Sequence, residues 1–159
     1  MQNDTGPSGT AHPPFIGAKV ALFAGPRLIT LLRDDKPGLP WPAMWDLPGG
    51  GREGAESPEA CMIRETHEEV GLDLTGHPIL WRGTFPAMTR PDEISWFFLL
   101  CMPAAAAAQA RLGDEGQRLA LMTPDEYLSH PRAIGFLQDR LRIALAAAGA
   151  PLLPPGISG

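Results

Sequence analysis

The stretch from Gly50 to Leu72, GGREGAESPEACMIRETHEEVGL, constrains this chain more than any other. It carries three carboxylates, Glu65, Glu68 and Glu69, at spacings that share one face of a helix. Three anions so placed repel one another and weaken the helix that carries them. A divalent cation would remove the repulsion, and Mg²⁺ takes hard oxygen ligands of this kind. The ends of the helix are legible too. Ser57 suits the N-cap, Pro58 the first helical position, and Glu59 the first turn, where the helix dipole favours an acid. Gly71 falls where a left-handed C-terminal cap is expected. At about 100° per residue, Ala60, Ile63, Thr66, His67 and Val70 gather on an arc predicted to pack, and the carboxylates gather on another. Upstream, Pro48-Gly49-Gly50-Gly51 permits close backbone approach and unusual dihedrals, so a carbonyl from this loop is a candidate fourth ligand.

Read as Gly50, Glu56, Arg64, Glu65, Glu68, Glu69 and Gly71, with Val70 and Leu72 as the aliphatic residues, the stretch resembles the Nudix box. All seven fixed positions match, which chance would give at one site about once in 10⁸. The departure is Thr66, where the family prefers an aliphatic residue; its β-branched shape points to an effect on packing. The segment Trp45-Asp46-Leu47-Pro48-Gly49-Gly50 is similar to the family's lead-in. The resemblance implies an α/β Nudix fold, a mixed β-sheet sandwiched between α-helices. It also implies hydrolysis of a nucleoside diphosphate linked to another group. Carried over residue by residue, Glu65, Glu68 and Glu69 would ligate Mg²⁺ or Mn²⁺, with the Gly50 carbonyl assisting. The ion would lower the pKa of a water that attacks phosphorus. Glu65 is the candidate base, and the family varies in which carboxylate takes that proton. Arg64 and Glu56 would orient the cluster. Arg33, at the end of a strand, stands near where similar enzymes bind phosphate, and a solvated strand-end arginine is the plainer alternative. Glu115-Gly116-Gln117 resembles the segment that supplies an extra metal-binding glutamate, with Asp92, Glu93 and Asp114 as rivals.

The remaining sequence fits around that centre. Residues 1–14 read as a flexible arm, 15–150 as one domain and 151–159 as a tail. Strands are expected over 16–24 and 27–33 about Gly25-Pro26, then over 78–85, 94–102 and 117–122. Residues 103–110 fit a short helix or a linker equally. Thr123 and Glu126 make a capping box, and a last helix is expected over 131–148 with Ile134, Leu137, Leu141 and Leu145 on one face. A formal charge of −5 argues against a general nucleic-acid or membrane binder, leaving a capped or triphosphate RNA end as the one exception. Cys61 and Cys101 form no framework and read as small apolar residues of a cytoplasmic protein. No apolar run reaches the ~18 residues of a transmembrane helix.

The expected partner is therefore a nucleotide-derived diphosphate small molecule, with homodimer formation open. Trp96 and Phe97 could stack a base, though aromatics in an apolar strand more often belong to the core. Downstream of Glu115, Leu121-Met122-Thr123-Pro124-Asp125 holds no asparagine of the kind that reads oxidised guanine in MutT-type enzymes. Two other readings stand beside hydrolysis: a non-catalytic nucleotide-sensing module, and a protein-interaction module using the last helix and the tails.

Overall fold

The structure, a computed structural model, describes residues 13–149. Most of the expected N-terminal arm, and the whole tail over 151–159, lie outside the described residues.

Seven strands form one mixed sheet: β1 (Gly17–Ala24), β2 (Arg27–Leu32), β3 (Trp45–Asp46), β4 (Gly49–Gly51), β5 (Ile79–Pro86), β6 (Ile94–Met102) and β7 (Arg118–Met122). The path runs β3-β2-β1-β6-β5, with β4 also paired to β1 and β7 to β2. Among the described strands, β1 and β6 alone run parallel, from Gly17 opposite Ser95 to Ala24 opposite Met102. The sheet lies between α1 (Pro58–Val70) on one face and α2 (Pro124–Ser129) with α3 (Gly135–Ala148) on the other.

Strand alternation sorts the core into these two layers. On β1 and β6, Ala21, Phe23, Phe97 and Leu99 face the side of Leu137 and Leu141 from α3. Val20, Leu22, Phe98 and Leu100 face the side of Cys61, Met62 and Val70 from α1. Both faces of β6 are buried over residues 97–100, as its continuous apolar run predicts. Phe97 is thereby lost to base stacking: it is fully buried and meets the Phe85 ring edge-on. Trp96 stacks on Phe98 instead.

Several expectations change. The packing arc of α1 is rotated: Cys61 and Met62 are buried, while Ala60 and His67 are exposed. Cys61 and Met62 fit the apolar side of β1 and β6 better than a histidine could. The last helix begins at Gly135 rather than Pro131. Residues 131–134 stay out of the helix, in a turn and a single bridge to Trp45, because that residue takes their backbone bonds: Trp45 N–H donates to Arg132 O at 2.7 Å and Ile134 N–H to Trp45 O at 3.2 Å. Residues 104–109 form a 3₁₀ turn. The two short strands β3 and β4 were not foreseen, since Pro48 and three glycines mask any strand pattern. Among the described residues, no helix is long and apolar enough to cross a membrane.

Thr66 tests the packing argument. It is fully buried, and its Oγ1 finds no hydrogen-bond partner among the described residues. An unpaired buried hydroxyl costs roughly 1–3 kcal/mol. Thr66→Val keeps the shape and removes the hydroxyl, so it should raise unfolding stability by about 1 kcal/mol in urea titration. A loss of stability would mean that the hydroxyl has a partner after all.

Candidate functional site

The site is built on a buried carboxylate that sequence reading passed over as part of a lead-in. Asp46 is 1% exposed. Its Oδ1 lies 3.0 Å from Lys19 Nζ and accepts the Leu47 N–H at 2.8 Å; its Oδ2 accepts from Arg33 Nη1 at 2.9 Å. Lys19 also donates to the carbonyls of Leu47 and Gly49, each at 3.1 Å. This knot ties β1, the end of β2 and the Pro48–Gly51 loop together. Arg33, expected to bind phosphate, is turned onto Asp46 and the Pro40 carbonyl.

The loop then meets α1. The Gly49 N–H donates to Glu69 Oε1 at 2.8 Å. Gly49 has φ 132°, and a Cβ there would fall 2.2 Å from the Ala18 carbonyl oxygen. A Cβ on Gly50 would fall 2.5 Å from Glu65 Oε1. Only glycine lets the backbone lie this close to the carboxylates. The Gly50 carbonyl faces the Cys61 thiol, which donates to it at 3.6 Å.

Arg64 stands among the acids. Its Nε and Nη2 reach the two oxygens of Glu56 at 2.6 and 3.1 Å, and Nη1 reaches Glu65 at 3.0 Å and Glu68 at 3.2 Å. Nη2 also donates to the Gly51 carbonyl at 2.8 Å, fastening the loop to the helix. The paired guanidinium holds the Glu56 carboxyl below its ordinary value and raises its own. Burial acts the other way on Glu65, whose carboxyl is pushed up against the pull of Arg64. It pushes Glu69 up to about 7, with Lys19 and the Gly49 N–H opposing.

A second element closes over these groups. The Arg111 N–H donates to Val70 O at 2.8 Å and the Gly113 N–H to Glu69 O at 3.0 Å, continuing the last turn of α1. Gly113 is held so close that a Cβ would fall 2.1 Å from the Glu68 carbonyl oxygen. The following residues thus reach the acidic face of the helix. Glu65, Glu68, Glu69, Gly113, Asp114 and Glu115 line one cavity of about 520 Å³. Glu115 and its rival Asp114 both enter it. Asp92 and Glu93 are not among its walls, and Glu93 pairs with Arg90 at 2.9 Å.

Five carboxylates and no nitrogen or sulfur ligand match the hard-oxygen chemistry of Mg²⁺. Among the described residues, no three acidic, histidine or cysteine side chains already converge to ion-holding distance. Glu65 and Glu68 are drawn to Arg64 instead, so receiving an ion requires their side chains to turn. The donor set fits the ion; its present arrangement is the one a resident guanidinium imposes.

The Glu69 carboxyl gives a test independent of activity. Its folded value near 7 stands above its ordinary 4.5, so folding favours the protonated acid. That contribution is complete below about 4.5 and is lost as pH rises through about 7. In chelator, Glu69→Gln should therefore gain stability relative to wild type across that window, by on the order of 2 kcal/mol. Denaturant titrations at pH 4.5 and 8 measure it; a gap that does not change with pH contradicts the burial argument.

The NUDIX domain family model matches residues 14–140. The RNA pyrophosphohydrolase of Acidiphilium cryptum is 32% identical over 97 residues, covering 58% of this chain and 56% of that protein. The nucleoside triphosphatase NudI of Escherichia coli is 28% identical over 113 residues, covering 67% and 79%. The chain spans about half the length of some curated relatives, 50% for one from Mycobacterium tuberculosis that is 27% identical over 109 residues. In solved structures the fold recurs in a mutT/nudix family protein from Listeria innocua, with a TM-score of 0.68 at 23% identity over 86% of this chain and 95% of that one. With its box on α1 and a family match along most of its length, this chain belongs to the NUDIX domain family.

Proposed function

We propose that this chain is a hydrolase of nucleoside diphosphate derivatives, dependent on Mg²⁺ or Mn²⁺. The observation that carries the reading is the shared cavity: three carboxylates of one helix are met by two more from a loop fastened to that helix's end. Relatives named for pyrophosphate and triphosphate hydrolysis support the same chemistry.

In this reading Glu65, Glu68 and Glu69 would hold the ion, with Glu115 joining from the loop, while the Gly50 carbonyl expected to assist is turned onto the Cys61 thiol. The ion, when bound, offsets charge on the diphosphate oxygens and lowers the pKa of the attacking water. Water adds to phosphorus, the anhydride P–O bond breaks, and Glu65 takes the water's proton as the candidate base. Arg64 and Glu56 set the direction of Glu65 and Glu68, because their bonds fix where those carboxylates start. Arg33 contributes through Asp46, holding the loop against which Glu69 is anchored. The substrate is a nucleotide-derived diphosphate, and a capped or triphosphate RNA end bears the same linkage. A pure sensing module has no need for five acids facing one cavity, which favours turnover.

Three results would follow. Activity on nucleoside diphosphate derivatives should vanish in EDTA and return with Mg²⁺ or Mn²⁺. Glu69→Gln should fold and lose turnover by on the order of 10² or more. In Mg²⁺ titrations at saturating substrate, Glu115→Gln should lower turnover or raise the Mg²⁺ requirement more than Asp114→Asn does. Full turnover in chelator would sink the metal mechanism. An Asp114→Asn defect with normal Glu115→Gln would move the loop ligand by one residue.

A further inference from the structure

A smaller cavity of about 200 Å³ adjoins the acidic one through Gly50, which lines it while packing directly on the Glu65 carboxylate. Its walls include Ile16, Ala18, Ala87 and Met88, and α3 supplies Arg140. Arg140 is 4% exposed. Its Nη1 donates to Ser95 Oγ at 3.1 Å, its Nη2 donates to Pro86 O at 2.7 Å, and its guanidinium lies 5.0 Å from the centre of the Phe85 ring. Among the described residues no carboxylate pairs with it, unlike Arg33 and Arg64, and burial lowers its pKa to about 10. A buried cation without a counter-charge is costly, so its position in the wall of a cavity calls for an occupant with acceptors. Guanidinium carries five N–H donors in a rigid fork; two are used here, leaving three.

We propose that this cavity receives the base of the substrate and that Arg140 selects a 6-oxopurine over adenine. The inference rests on the reading that the acidic cavity holds the diphosphate. Ligand sites usually begin near ~300 Å³, so this space suits a ring rather than a whole nucleotide. Its walls, apolar apart from Lys19, Thr89, Ser95 and Arg140, match the faces of such a ring. Guanine presents O6 and N7 side by side, two acceptors that fit the arginine fork, whereas adenine sets an amino donor beside N7. That donor would face the remaining N–H groups of Arg140 and leave both sides unsatisfied.

Isothermal calorimetry with GDP, IDP and ADP in Mg²⁺ tests this. IDP keeps O6 and N7 but lacks the 2-amino group. GDP and IDP should both bind wild type tighter than ADP, by about 5- to 150-fold. Arg140→Lys keeps the charge and loses the fork, so the gap should shrink to about threefold or less. Should that variant not melt cooperatively, Ser95→Ala, which releases the bond aiming Nη1, should narrow the gap several-fold. Equal affinities in wild type, an IDP that binds like ADP, or a gap untouched by both variants would each overturn the assignment. Hydrolysis assays on GTP, ITP and ATP, in which the diphosphate is joined to a further phosphoryl group, separate the two readings. Turnover without base preference removes this inference and leaves the hydrolase; base preference without turnover does the reverse.

Discussion

The arrangement of this molecule depends on one buried anion shared by two cations. Asp46 is sealed beneath the sheet's edge, and Lys19 and Arg33 satisfy it from neighbouring strands. Such a knot is weak support for net stability, yet removing one member leaves an uncompensated buried charge, at roughly 3–5 kcal/mol. Its value is positional. Through the Leu47 and Gly49 carbonyls Lys19 holds the glycine loop, and the Pro48 carbonyl accepts from Val20 N–H at 2.9 Å. The loop's next amide is the one that fixes Glu69. The acid that matters most for geometry is thus not one of the acids that face the cavity.

Around the box, the same repulsion is managed by two different devices. Glu56, Glu65 and Glu68 share Arg64, so their charges are neutralised by contact. Glu69 has only a backbone amide and the more distant Lys19, and burial raises its carboxyl instead. One helix therefore presents carboxylates of unequal character within two turns.

The centre of this site was legible because helix periodicity, capping and glycine spacing all act locally in sequence. Ser57 does accept from Ala60 N–H at 3.1 Å, and Gly71 does adopt φ 74°. Thr123 and Glu126 make the capping box their spacing suggests. Glu115 could be suspected only through resemblance, because its approach is created by amide bonds from Arg111 and Gly113 to carbonyls some 40 residues earlier. Asp46, Lys19 and Arg140 were not legible as working residues. Each gains its meaning from partners on other strands, and no local pattern marks an aspartate about to be buried or an arginine about to lose its counter-charge. The rotated packing face of α1 has the same origin: periodicity defines an arc, but the sheet beneath decides which side of it is used.

The bonds that zip residues 111–113 onto the end of α1 have a consequence for how such a scaffold can diversify. The 3₁₀ turn at 104–109 lies upstream of the zip, and Gly116 and Gln117 are fastened downstream, to Asp34 and to the backbone of Leu32 and Arg33. The turn itself is seated, with Ala106 buried and Ala107 and Ala110 packed on the α1-side core, so the acids beyond it are approached from a fixed start. Between the two anchors only Asp114 and Glu115 are left unfastened by these bonds, so the spacing of the two acids is locked at both ends, and novelty in this region would enter through which side chains stand there and not through the length of the loop.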